Sequence, residues 1–223
     1  MGAAIGQSLP VAVGVLISPL PIVAVVLMLV SGRAKANAFA FLLGWFLAVG
    51  AVTVVVALLA GAGTDTEQGT PLWAAITKIV LGLALLLLAV KQWRGRPRVG
   101  VEPPAPKWMA AIDGFTPVKA AGLAVLLGAV NPKNLLLVVS GGAAIATAAA
   151  GDTNAQVVAS IVFALVASVG VATPVFIYLF MGDRAAAMLD ELKGWMIHNN
   201  AVIMAVLLLV LGAKMLGDGI AAL

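Results

Sequence analysis

Polar and charged positions along this 223-residue chain fall in short clusters, and six apolar runs lie between them. The runs cover Ser8–Val30, Ala38–Ala60, Leu72–Val90, Val118–Ala150, Gln156–Met181 and Trp195–Leu216. Each is long enough to cross a hydrocarbon core of roughly 30 Å. None alternates apolar and polar residues as a membrane strand does. The pattern predicts an all-α polytopic membrane protein with six transmembrane helices. The whole chain, 1–223, then forms a single transmembrane domain. Its first half covers about 8–93, a basic proline-rich loop about 91–117, and its second half about 118–218. No basic segment precedes the first run and no cleavage-like pattern follows it, so it reads as a retained span rather than a signal peptide. In the fifth loop, 182–194, Met188, Leu189 and Leu192 share one helical face, which predicts a short interfacial helix.

Two of the runs are interrupted. The first carries Ser18-Pro19-Leu20-Pro21 and the fourth carries Asn131-Pro132-Lys133-Asn134. Proline removes a backbone donor and clashes with the preceding turn, so helices 1 and 4 are expected to be broken, with Pro19, Pro21 and Pro132 at the breaks. Pro174, after Thr173, predicts a further hinge in the fifth run.

The halves also resemble each other. Ile17-Ser18-Pro19, Val49-Gly50-Ala51-Val52-Thr53 and Leu88-Ala89-Val90-Lys91 are followed in the same order by Val130-Asn131-Pro132, Val169-Gly170-Val171-Ala172-Thr173 and Leu211-Gly212-Ala213-Lys214. Trp73 and Trp195 each open the third span of a half. Three spans per half is an odd number, so the halves insert with opposite orientation as two inverted three-helix repeats, bringing the two breaks together at mid-depth.

Charge refines the topology. The chain is 63% hydrophobic and 10% charged, whereas soluble domains are about half apolar and about a quarter charged. Loops one, three and five hold Arg33, Lys35, Lys91, Arg94, Arg96, Arg98, Lys107, Arg184 and Lys193; loops two and four hold Asp65, Glu67 and Asp152 without Lys or Arg. By the positive-inside rule the odd loops are cytoplasmic and both termini extracytoplasmic. The same rule accounts for the net charge of +4, so no nucleic-acid partner is expected. Arg94, Arg96 and Arg98 offer a weak surface for anionic lipid headgroups.

Candidate chemistry is confined to the breaks. A lysine in hydrocarbon is costly and rarely idle, and Lys133 follows a helix start, where unpaired N–H groups favour an anion. The candidate binding residues are Ser18, Pro19, Pro21, Asn131, Pro132, Lys133 and Asn134, with Thr173 as a wall. The glycines within the runs, Gly122 and Gly170 among them, serve close helix packing. There is no cysteine and one histidine, His198, so no metal site and no cofactor is expected. No carboxylate lies deep in a span, which disfavours cation or proton pathways. No nucleophile–base pair and no ATP-binding motif is visible, so no enzyme is expected.

These residues resemble a known family. The opening Leu9-Pro10-Val11-Ala12-Val13-Gly14-Val15-Leu16-Ile17-Ser18-Pro19-Leu20-Pro21-Ile22 is similar to that of the actinobacterial GAP family, the glycolipid and peptidoglycolipid addressing proteins. Asn131-Pro132-Lys133-Asn134-Leu135 resembles that family's second hallmark and that of the wider LysE transporter superfamily. Gly32-Arg33-Ala34-Lys35, Asn37 and Phe41-Leu42-Leu43-Gly44-Trp45 also fit. The resemblance implies export or surface display of cell-envelope glycolipids across a plasma membrane, a polar lipid being exported or flipped with its anionic headgroup held at the midplane site between the repeats. Taken with the residues, it leads to a homodimer that handles membrane lipids, with lipid-synthesis or larger lipid-export proteins as further partners. Two alternatives stay open: a LysE-like exporter of a small solute such as an amino acid, and a non-transporting accessory to a lipid-export complex.

Overall fold

A computed structural model describes residues 1–62, 72–96 and 111–223. The elements are α1 (Gly2–Leu16), α2 (Pro19–Leu29), α3 (Ala34–Gly61), α4 (Leu72–Arg94), α5 (Pro117–Val125), α6 (Pro132–Ala148), α7 (Thr153–Met181) and α8 (Ala185–Ile220). A π turn, Leu126–Val130, joins α5 to α6. Short 3-10 turns at Ile112–Gly114 and Gly182–Arg184 lead into α5 and α8. Asp65, Glu67, Arg98 and Lys107 lie outside the described residues.

The two expected breaks are sharp. α1 and α2 meet at 52°, and α5 with its π turn meets α6 at 64°. Each second helix starts on proline, whose ring pushes the residue before it out of the helical region. Ser18 accordingly has φ −71°, ψ 109°, and Asn131 has φ −59°, ψ 119°. α3, most of α4, α7 and most of α8 are each long and apolar enough to cross a membrane, and the two bent pairs bring the number to six if each is one span.

Two expectations are corrected. No break forms at Pro174, because α7 stays helical from Thr153 to Met181. One missing N–H does not end a long helix whose other backbone bonds persist, and Thr173 Oγ1 adds a bond to the Val169 carbonyl at 2.8 Å. The fifth loop forms no separate interfacial helix: Ala185–Ile220 is one helix of 36 residues. At about 1.5 Å per residue this is longer than a hydrocarbon core. Gly194 alone costs such a helix only about 1 kcal/mol.

Small residues set the packing. α4 and α8 run antiparallel in close contact, and a Cβ at Gly82 would fall 2.7 Å from the Leu216 backbone nitrogen. α3 lies against α5, α6 and α7, and α1 lies against α6 and α7. Trp45 of α3 is fully buried, stacks on Phe41, and donates from Nε1 to the Ala167 carbonyl at 3.4 Å. Gly170 of α7 abuts the end of α1, where any Cβ would overlap the Leu16 carbonyl oxygen. Gly122, expected to pack closely, faces outward with nothing near it. The exterior is as apolar as the interior: Leu43, Leu59, Leu87 and Phe180 are all exposed. Helices apolar all round suit a lipid surrounding.

Candidate functional site

The two breaks meet in the interior, and the π turn explains how. In that turn the Asn131 N–H donates to the Leu126 carbonyl at 2.7 Å, one residue further back than in an α-helix. The next carbonyl in that register, Leu127, faces Pro132, which has no N–H. Asn134 fills the gap: its Nδ2 donates to the Leu127 carbonyl at 2.7 Å. Asn131 closes the start of α6 in turn, its Oδ1 accepting from the Lys133 backbone N–H at 3.1 Å. Isolated π turns of this kind concentrate at functional sites.

At the other break Ser18 occupies the capping position of α2, yet its side chain makes no cap bond. Its hydroxyl serves the opposite half instead. Ser18 Oγ donates to Asn134 Oδ1 at 3.2 Å and accepts from Lys133 Nζ at 2.9 Å. Ser18 and Asn134 are almost completely buried and Lys133 partly so. The Lys133 ammonium also contacts the Met204 sulfur of α8.

This arrangement leaves a cation with incomplete partners. An ammonium has three donors, and a thioether is a weak acceptor. The ion pairs among the described residues are Lys193–Asp190 and Lys214–Asp218, both i,i+3 or i,i+4 pairs within α8. No carboxylate reaches Lys133 among them. An unpaired charge in a low-dielectric interior is costly, and an anion docking there would relieve that cost through charge-assisted hydrogen bonds.

Of the candidate residues, Ser18, Asn131, Lys133 and Asn134 come together, with Pro19 and Pro132 fixing the helix starts. Pro21 is buried in the first turn of α2. Thr173 is not brought to them: it is exposed on α7, whereas its repeat mate Thr53 is fully buried on α3. Arg94 closes one end of an apolar groove of ≈ 420 Å³ between α4 and α8, and the Arg96 guanidinium sits 4.4 Å from the Trp93 ring centre. The sequence reading missed Met204, the Leu127 carbonyl and the π turn. A methionine in an apolar span carries no contrast, and in a regular helix Pro132 leaves the Gly128 carbonyl without a donor, so Leu127 emerges only once the π turn is seen.

The family model described as Sap, sulfolipid-1-addressing protein, matches residues 9–221. No curated protein and no solved structure matches the chain.

Proposed function

Because the chain belongs to the sulfolipid-1-addressing protein family, we propose that it exports or flips a polar cell-envelope lipid, holding an anionic headgroup at Lys133. The coarse reading, a multi-pass membrane protein linked to lipid export, follows from the family and the apolar helices. The finer one rests chiefly on a single observation: Lys133 reaches across from one broken helix to Ser18 of the other, with no carboxylate beside it among the described residues. A sulfated headgroup, the kind named by the family's title, has the charge and the acceptor oxygens for that ammonium and the Ser18 hydroxyl. Acyl chains would stay in the surrounding bilayer.

The proposed architecture is six spans in two inverted repeats within one domain. Its support is the packing pattern. The α1–α2 pair lies against α7 as the α5–α6 pair lies against α3, and the third helices of the halves, α4 and α8, pair with each other. Rocking of one repeat against the other would then expose the site to each side in turn. The proposed setting is the plasma membrane with both termini outside, on the loop charges; a homodimer is part of the same proposal.

The test is the surface-extractable lipid profile of cells lacking the protein, beside cells restored with wild type or Lys133→Ala. One polar lipid should leave the surface yet persist inside, and only wild type should return it. Full restoration by Lys133→Ala removes the headgroup role. An unchanged profile in the deletion removes lipid export and moves attention to efflux of a small solute.

A further inference from the structure

A second cationic pocket lies at the end of the bundle that holds the start of α1 and the end of α8. Lys78 of α4 and Lys214 of α8 line it, with Gln7 of α1, Ser140 of α6 and Asp218 of α8. The cavity is small, ≈ 20 Å³, room for about one water molecule. Lys214 Nζ pairs with Asp218 Oδ2 at 2.5 Å, and no ion pair joins Lys78 among the described residues. The Ser140 hydroxyl is spent on the Leu136 carbonyl at 2.6 Å. The free donors are therefore those of the two lysines and the Gln7 amide. Two ammonium groups against one carboxylate leave a net positive charge where α1, α4, α6 and α8 meet.

The pocket is in line with Lys133. Ser140 lies two turns beyond Lys133 on α6, about 10 Å along the axis. Lys214 lies about 15 Å beyond Met204 on α8 by the same rise. On α1 the sequence from Ser18 back to Gln7 runs the same way. A short apolar plug separates the two places: Leu137 and Leu211 close on Gly14, where a Cβ would fall 2.6 Å from Leu211 Cδ1. All three plug residues are buried.

We propose that this pocket is a second anion-binding station, which takes the charged headgroup after it leaves Lys133 and passes the Gly14–Leu137–Leu211 plug. The proposal builds on the headgroup reading of Lys133. The ligand is a sulfate or phosphate ester of which one oxygen enters the cavity, the rest of the group lying at its exposed end among Gln7, Lys214 and Asp218. Asp218 gives the station its release: it holds Lys214 when the pocket is empty and competes with the anion when it is full, which keeps retention weak. A plain surface anchor needs neither the second lysine nor a competing carboxylate.

The experiment measures binding of short-chain phosphatidic acid to the full-length protein in zwitterionic micelles, with inorganic phosphate and a short-chain phosphatidylcholine as separate arms. In Lys133→Ala protein, residual phosphatidic acid binding should persist. Adding Lys78→Gln and Lys214→Gln should weaken it about tenfold, the loss expected for hydrogen bonds from charged donors. Asp218→Asn should instead tighten it several-fold, a direction that damage to folding does not produce. Lys78→Arg with Lys214→Arg, retaining both charges, should keep it within about threefold, since the station acts mainly through charge. No residual binding in Lys133→Ala, or residual binding indifferent to the lysines and to Asp218, overturns the second station. If Lys133→Ala costs no binding and the paired glutamines remove all of it, the station stands and the headgroup role of Lys133 falls. Equal binding of inorganic phosphate makes the pocket a site for free anions and overturns its part in lipid passage. Equal binding of phosphatidylcholine overturns the charge basis altogether.

Discussion

The two helix breaks are built from the same device and finished differently. Both place an extended residue before a proline at the first position of the next helix. At Asn131 the break is self-contained: the side chain caps α6, the π turn absorbs one residue, and Asn134 supplies the carbonyl that Pro132 leaves without a donor. At Ser18 the break is open. Its hydroxyl leaves α2 uncapped and binds Lys133 and Asn134 instead, while the Leu16 carbonyl is pressed on Gly170. One break is held by its own chain segment and the other by its neighbours. A pair of breaks made this way has a stiff partner and a partner whose geometry follows the rest of the bundle.

Four changes test that contrast. The largest effect is expected from Gly170→Leu. It drives a side chain into the Leu16 carbonyl, and with backbone on the receiving side it should cost about 3 kcal/mol, read as lost folded yield in micelles. No such dependence is expected at the Asn131 break. Ser18→Ala comes next, at about 2 kcal/mol, because it strips a partner from the buried Asn134 and the partly buried Lys133 at once. Reversible unfolding in mixed micelles would measure it, and a change below about 0.5 kcal/mol, the usual size for a site without buried partners, would show that Ser18 is not the tie described. Lys133→Met should work in the opposite direction. Removing a cation with no carboxylate beside it among the described residues should raise stability by about 1–2 kcal/mol while ending the proposed lipid delivery, so a stabilised, inactive protein is the expected result. Asn131→Ala should cost about 1 kcal/mol, the worth of an ordinary helix cap, with little effect on the first break.

Both breaks were legible in the sequence because proline, serine, asparagine and lysine stand out against valine and leucine. What surrounds them was not. In a membrane protein the lipid-facing and core-facing sides of a helix are equally apolar, so periodicity does not say which side is buried. Met204 and Leu127 could not be separated from dozens of similar positions on that basis. Thr173 shows the same difficulty from the other side: matched to Thr53 by local sequence, it is exposed where its mate is buried. Pro174 and the fifth loop failed for a different reason. A single proline or glycine is a weak breaker when the flanking turns remain helical, and it takes a second feature, such as the paired prolines after Ser18 or the π turn before Pro132, to bend the chain.

On the proposed transport reading, the lack of a carboxylate beside Lys133 among the described residues has an electrical consequence. With a singly charged cargo the loaded site would sum to zero and cross the membrane field without work. The empty site would carry its ammonium through the same field, at roughly 2.3 kcal/mol per elementary charge for each 100 mV traversed. Voltage would then act on the return of the empty carrier rather than on the export stroke, and a potential negative inside would draw the vacant site back toward the cytoplasm.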